Sequence, residues 1–187
     1  GSLLVEFSGW RSIFWVIAGI AVAALVLVAT SLRETRPKEQ RSASGLRSAL
    51  AAYGVLLRDR TFLGMVFIGA FGVSSFFTYL ANSPFVLITH FGLSSRQYGL
   101  AFAVNAAAFI GASQLTGRFG KRLGLARLVK FAMVGYAAAM LSLLLLNLLG
   151  VDRLVPLLVL LFIGFGFLGL AMPSSAVLAL DRHGAIA

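Results

Sequence analysis

Cysteine is absent from the 187 residues, which excludes a disulfide framework and any thiolate metal site. Histidine occurs only twice, at His90 and His183, too few and too widely spaced to suggest a metal centre. Acidic residues are scarce: six Asp and Glu stand against 16 Lys and Arg. All six (Glu6, Glu34, Glu39, Asp59, Asp152 and Asp181) fall at ends or in loops between apolar runs. There is no His-Glu-x-x-His, no Ser/His pairing and no paired Asp, so the residues offer no acid, base or metal cluster for a membrane hydrolase. The chain is therefore read as a non-enzyme with no cofactor. A proton relay normally needs Asp, Glu or His at membrane depth. If the whole protein is proton-coupled, the coupling residue lies outside these residues.

What the chain does contain is apolar surface. Fifty-nine per cent of residues are hydrophobic and only 12% are charged, about half the charged share of a soluble domain. Five runs, Ser12–Leu32, Thr61–Phe85, Gln97–Thr116, Phe131–Val151 and Val155–Leu180, hold no Lys, Arg, Asp or Glu. About 20 apolar residues in a helix cover a hydrocarbon core of ~30 Å. The runs are continuously apolar rather than alternating, which points to helices and away from a barrel. The fold class expected is all-α: a polytopic membrane bundle with five transmembrane helices, surrounded by a lipid bilayer.

The net charge of +10 would raise nucleic acid for a soluble protein. Here the basic residues sit in loops between spans, so the expectation is membrane topology and no nucleic-acid partner. Alternate loops carry 13 basic residues against 3, and basic residues stay preferentially on the cytoplasmic side. The loops at 33–60 and 117–130 are accordingly expected to be cytoplasmic, with the first span entering from outside. Trp10 and Trp15 stand at its outer start, where amphipathic rings favour the interface.

The only long polar stretch is Arg33–Arg60. Its second half carries Leu46, Leu50, Tyr53 and Leu57 at helical spacing, with Ser44 as a possible cap. Two readings fit: an amphipathic helix on the inner membrane surface or a short soluble linker helix. The other connections are short. Gly150–Leu154 reads as an outer hairpin and Gly117–Lys130 as a basic inner turn. There is no starting Met and no signal-peptide layout, and both ends read like parts of neighbouring elements. An internal piece of a larger membrane protein is the expectation.

Polar residues within the spans are the candidate site. Gly72, Ser75, Phe76, Tyr79, Asn82 and Ser83 recur at spacings of three or four, hence on one helix face. Such a face either lines a cavity or hydrogen-bonds a neighbouring helix, at ~0.6–2 kcal/mol per bond. Pro84 is expected to break or kink the helix near its outer end. Asn105 falls near mid-membrane, where an unpaired amide is costly, and is read as an interhelical bond or a ligand contact. Gly164-Phe165-Gly166-Phe167-Leu168-Gly169 matches the dinucleotide fingerprint G-x-G-x-x-G literally. That fingerprint needs a strand–turn–helix context, which is missing here. Small residues that permit close helix packing are the better reading, with a kink near Pro173.

The residues also resemble a known family. Gly9-Trp10-Arg11-Ser12-Ile13-Phe14-Trp15, an apolar span, and then Leu32-Arg33-Glu34-Thr35 resemble the sixth helix of major facilitator superfamily drug exporters. Leu57-Arg58-Asp59-Arg60-Thr61-Phe62, Ala81-Asn82-Ser83-Pro84-Phe85-Val86, Phe91-Gly92-Leu93-Ser94 and Phe102-Ala103-Val104-Asn105-Ala106 follow in an order similar to the Bcr/CflA drug-resistance subfamily. The stretch Gly117–Gly124 resembles the second-half copy of the superfamily's cytoplasmic gating turn. Gly117, Arg122 and Gly124 fit it, while Lys121 occupies its acidic position.

This resemblance implies about helices six to ten of a 12-helix fold. Residues 1–32 would end the N-terminal bundle, 33–60 would form the central cytoplasmic loop, and 61–187 a partial C-terminal bundle. It further implies proton antiport of small lipophilic or cationic drugs across a bacterial inner membrane, with the missing N-terminal helices as partners. The substrate path would run past Phe76, Tyr79, Asn82, Ser83 and Asn105. A membrane scaffold or accessory subunit that transports nothing is the alternative. The topology has a direct test: a tag placed within Arg118–Arg127 is expected to be shielded from impermeant reagents outside the cell, and labelling there would invert the reading.

Overall fold

The computed structural model describes residues 8–31, 50 and 53–181. Helix is the dominant element among them, with no strand. Five helices are long and apolar enough to cross a membrane by length and composition. The chain divides into two compact units, Gly1–Tyr53 and Gly54–Ala187.

The first unit contains α1, Arg11–Ser31. Its 21 residues correspond to about 31 Å of helix, one hydrocarbon thickness. The chain turns into it at Gly9, whose φ of +73° suits a residue without Cβ. The Ser12 hydroxyl donates to the Gly9 carbonyl at 2.6 Å. Trp10 meets Phe14 edge-on at 5.9 Å, and the Arg11 guanidinium lies 5.3 Å from the Trp10 ring centre. Apolar side chains occupy every face of α1, as befits a lipid-spanning helix.

In the second unit, residues 54–56 are helical and a turn follows. Ser44, Leu46 and most of the expected surface helix lie outside the described residues. Asp59 then caps α2, Arg60–Pro84, accepting the Thr61 amide at 2.7 Å and the Phe62 amide at 3.3 Å. Pro84 does not break the helix as expected. Residues Phe85–His90 continue it as a π-helix; the Phe91 amide donates five residues back, to Val86 O at 3.1 Å. Proline removes one donor, and the wider π register re-pairs the donors beyond it. Gly92, at φ +71°, ends the run.

Ser94 and Gln97 form a reciprocal capping box that starts α3, Ser95–Leu123. The basic turn after α3 is tighter than the expected Gly117–Lys130. Gly117 and Arg122 are both helical, and Gly124 alone, at φ +81°, separates α3 from α4, Leu125–Leu148. Helical hydrogen bonding needs no apolar side chain, so α3 and α4 extend through the basic residues into the interface. A hairpin with Gly150 at φ +71° leads to α5, Leu154–Asp181. Pro173 does not interrupt α5; its missing N–H leaves the Gly169 carbonyl without its usual donor.

Within this unit α5 packs against α2, α3 and α4, whereas α3 and α4 meet each other little. Phe165, Leu168, Ala171, Ser174 and Ser175 of α5 and Leu128, Val129, Ala132 and Ala139 of α4 are buried, and Gly72 of α2 lies against Leu168 and Met172. Ser174 and Ser175 donate to Leu170 O at 2.7 Å and Met172 O at 2.9 Å, within their own helix. Lipid tails are as apolar as leucine, so close packing, not exclusion from water, holds such helices together. Glycines provide it. A Cβ on Gly72 would meet Met172 Sδ at 2.6 Å, and one on Gly164 would meet Met140 Cε at 2.7 Å. On Gly135 it would meet the Phe167 ring, and on Gly169 the Phe109 backbone carbonyl of α3. Two glycines of the G-x-G-x-x-G stretch are thus packing surfaces; Gly166 faces open space.

His90 Nε2 lies 2.7 Å from Asp152 Oδ2, joining the π-helical end of α2 to the α4–α5 hairpin. Both side chains are more than half exposed, which keeps such a pair below about 1 kcal/mol.

Gly169→Ala is expected to destabilise the folded chain in detergent by on the order of 1–3 kcal/mol, because backbone rather than a flexible side chain blocks the new methyl. Gly166→Ala is expected to be neutral or slightly stabilising. Equal unfolding curves for the two variants would contradict the packing assigned here.

Candidate functional site

The polar positions of α2 divide between two cavities, one on either side of its contact with α5. Toward α4 lies a cleft of about 410 Å³. Ser74, Ser75, Thr78, Tyr79, Asn82 and Ser83 line its α2 side, and Tyr136 and Met140 of α4 stand opposite. Thr78 donates its hydroxyl to Ser74 O at 2.9 Å, and Asn82 donates its amide to Thr78 O at 2.8 Å. These bonds stay within one helix, as hydroxyls and amides in spans commonly do.

Toward α3 lies a smaller pocket of about 270 Å³, walled by Phe76, Tyr79, Phe102, Phe109 and Phe165, with Asn105 among them. The Tyr79 ring meets Phe165 edge-on at 4.7 Å and lies nearly parallel to Phe102 at 6.0 Å. Phe76 meets Phe165 edge-on at 6.3 Å. Edge-to-face arrangements follow from the ring quadrupole, whose positive edge seeks a negative face.

Both polar links between α2 and α3 join at this level. Asn105 Nδ2 donates to the Tyr79 oxygen at 3.0 Å; Ser83 Oγ and the Tyr98 hydroxyl share a bond of 3.2 Å. Asn105 is 2% exposed and Ser83 5%, so each bond removes a polar group from hydrocarbon. The two readings open for the α2 face divide its residues: Ser74, Ser75, Thr78 and Asn82 face a cavity, while Tyr79 and Ser83 both line that cavity and bond the neighbouring helix.

The sequence-predicted path residues are thus not gathered in one place. Phe76 and Asn105 belong to the α3 side, Asn82 and Ser83 to the α4 side, and Tyr79 borders both. Phe102, Phe109 and Phe165 complete the aromatic walls and were not singled out from sequence. Phe102 stands three residues before Asn105, which places it on the same helix face. Phe165 had no such marker inside a continuous apolar run.

Gly117, Arg122 and Gly124, expected from the resemblance to form a gating turn, lie at the opposite end of α3 from its capped start and line neither cavity. No acidic residue lines either cavity. Among the described residues no group of His, Asp and Glu is arranged to hold a metal ion. The arrangement can hold an apolar or aromatic molecule and offer it a few hydrogen bonds; it presents no nucleophile with a base.

Comparison with known proteins agrees with this chemistry. The chain is 30% identical over 182 residues to an uncharacterised MFS-type transporter, YdgK, of Bacillus subtilis, covering 97% of this chain and 45% of that protein. It is 29% identical over 133 residues to a bicyclomycin resistance protein homologue of Haemophilus influenzae, covering 71% of this chain and 33% of the relative. It is 30% identical over 106 residues to the multidrug resistance protein MdtL of Escherichia coli, covering 57% and 26%. The chain spans less than half the length of each of these relatives, which are named as transporters and resistance proteins rather than enzymes. No solved structure matches significantly. The family model of the Major Facilitator Superfamily matches residues 1–186, and with its several apolar spans this multi-pass membrane chain belongs to that superfamily.

Proposed function

We propose that this chain is a segment of a secondary active exporter of amphipathic drugs or other small lipophilic or cationic molecules, of the Bcr/CflA type, in a bacterial inner membrane. The observation that carries this reading is the aromatic and amide-lined wall at mid-membrane on α2, α3 and α5, in a chain related to bicyclomycin and multidrug resistance proteins. Aromatic walls with a few placed polar groups suit lipophilic ligands, and ring faces also attract cations.

In this reading residues 1–32 end an N-terminal bundle, 33–60 form a cytoplasmic connection, and 61–187 belong to a C-terminal bundle. The loops at 33–60 and 117–130 face the cytoplasm, as their basic residues favour. Substrate passes between the two bundles as they rock about it, so the partners are the bilayer, the substrate and further helices of the same protein. Export is driven by proton antiport, and the carboxylate that couples it lies in the other half. Phe76, Tyr79 and Asn105 contact the substrate, with Asn82 and Ser83 beside the path. Gly117, Arg122 and Gly124 serve the inner gate, where Gly124 supplies the turn.

Tyr79→Ala in the full-length exporter is expected to lower drug efflux about tenfold or more, since it removes a wall and the partner of Asn105 together. Efflux of a fluorescent drug from loaded cells checks this, with membrane abundance measured in parallel. Wild-type efflux and unchanged drug binding would remove Tyr79 from the path.

A further inference from the structure

From Arg60 to Val151 the chain holds no aspartate or glutamate. Within that stretch five cations gather about the one-glycine turn between α3 and α4: Arg118, Lys121, Arg122, Arg127 and Lys130. All five are exposed, and none of them forms an ion pair among the described residues. Helix stability explains only part of this charge. Lys121 and Arg122 lie in the last turn of α3, where cations complement the helix dipole. Arg127 and Lys130 lie in the first two turns of α4, whose first turn has no acidic residue. There the dipole opposes them.

Depth and neighbours say what kind of anion answers these cations. The charge-free run of α3, Gln97–Thr116, makes about 30 Å of helix, and Phe131–Leu148 of α4 about 27 Å. Each run fills a hydrocarbon core by itself, so residues 118–130 stand at the level of the lipid headgroups. On α4 the buried Leu128, Val129, Ala132 and Ala139 mark the face turned to the bundle. Helical periodicity puts Arg127 and Lys130 on the opposite face, followed along it by Phe131, Val134, Leu141 and Leu145. Those four are 57–70% exposed. Cations at headgroup depth running into an exposed apolar track match a phosphate followed by an acyl chain. An acidic peptide or a nucleic acid would match the charge and leave the track uncovered.

We infer that the face of α4 turned away from the bundle, with the basic end of α3 beside it, is a docking site for an anionic phospholipid. Arg127 and Lys130 hold the phosphate, assisted by Arg118, Lys121 and Arg122, and an acyl chain lies along Phe131, Val134, Leu141 and Leu145. Arginine suits this role because its planar fork meets two phosphate oxygens at once. The site goes beyond the exporter reading and does not depend on what the protein carries.

The test follows lipid preference beside α4 with one tryptophan in the full chain, reconstituted in phosphatidylcholine vesicles. Trp10 and Trp15 are the only tryptophans, so Trp10→Phe with Trp15→Phe clears the background for Phe131→Trp. Its quenching by brominated phosphatidylglycerol is compared with quenching by brominated phosphatidylcholine. The anionic lipid is expected to be favoured about tenfold beside residue 131, and about twofold or less with Leu148→Trp as the reporter at the other end of the same face. Arg127→Gln with Lys130→Gln is expected to bring the ratio at 131 down to about twofold, Arg96→Gln at the far end of α3 to leave it unchanged, and high salt to lower it. Circular dichroism follows helicity; if that double variant loses helix, Arg118→Gln with Arg122→Gln takes its place. Glycerol 3-phosphate, a headgroup without a tail, is expected not to displace the lipid; displacement would make this a site for free phosphate and overturn lipid docking. Equal quenching by the two lipids at 131, equal preference at 131 and 148, or a ratio unmoved in the folded neutral variants would overturn it as well.

Discussion

Satisfaction of backbone polar groups inside each segment is the constraint on which everything else in this chain depends. Hydrocarbon offers no water to an exposed N–H or C=O, so a spanning segment closes its own ladder or does not span. Five helices result, and the exceptions are informative. Pro84 removes a donor and the ladder widens to a π register for six residues. Gly92, Gly124 and Gly150 adopt positive φ where helices end. Asp59 and the Ser94–Gln97 pair meet amides that would otherwise point into a poor solvent. Charge follows the same rule: lysine and arginine are displaced to helix ends and the connections between them.

Once the helices exist, lipid provides little reason for them to associate, and contact depends on fit. In the second unit that fit centres on α5, whose glycines and those of its neighbours oppose large groups. Gly164 receives Met140, Gly135 receives Phe167, and Gly72 receives Met172. Gly169 lets the α3 backbone itself approach at Phe109. The dinucleotide-like G-x-G-x-x-G spelling has this packing role at its first and last glycines. Pro173, one turn beyond Gly169, leaves free the carbonyl at this crowded position, so the closest helix contact and the helix's missing hydrogen bond share one turn.

The same close packing that draws α3 toward α5 sets α2 and α3 far enough apart for long side chains to bridge them. Tyr79 to Asn105 and Ser83 to Tyr98 are those bridges, and the aromatic pocket is the space they leave. Tyr79 stands between the pocket on the α3 side and the cleft on the α4 side and lines both.

Much of this was legible before any coordinates. Fold class and the number and approximate extent of the spans follow from residue type in linear order, because the bilayer tests each segment separately. Superfamily membership was legible from Gly-Trp-Arg at the start, Ser83-Pro84-Phe85 and the Gly117–Gly124 turn, and it holds. Helix ends were misjudged where charge was taken as the boundary: α3 and α4 run through the basic residues to a one-glycine turn, and Pro84 lengthens a helix instead of ending it. The candidate site was half legible. Asn105 and Tyr79 stood out because polar groups are rare at membrane depth. Phe102, Phe109 and Phe165 did not, because a phenylalanine among leucines and alanines looks the same whether it faces lipid, a neighbour or a cavity. Sequence alone determined the medium and the elements, since each helix answers to lipid by itself. Tertiary structure alone decided which polar residue bonds a neighbour and which faces open space, since that depends on how closely glycines on separate helices allow their backbones to meet.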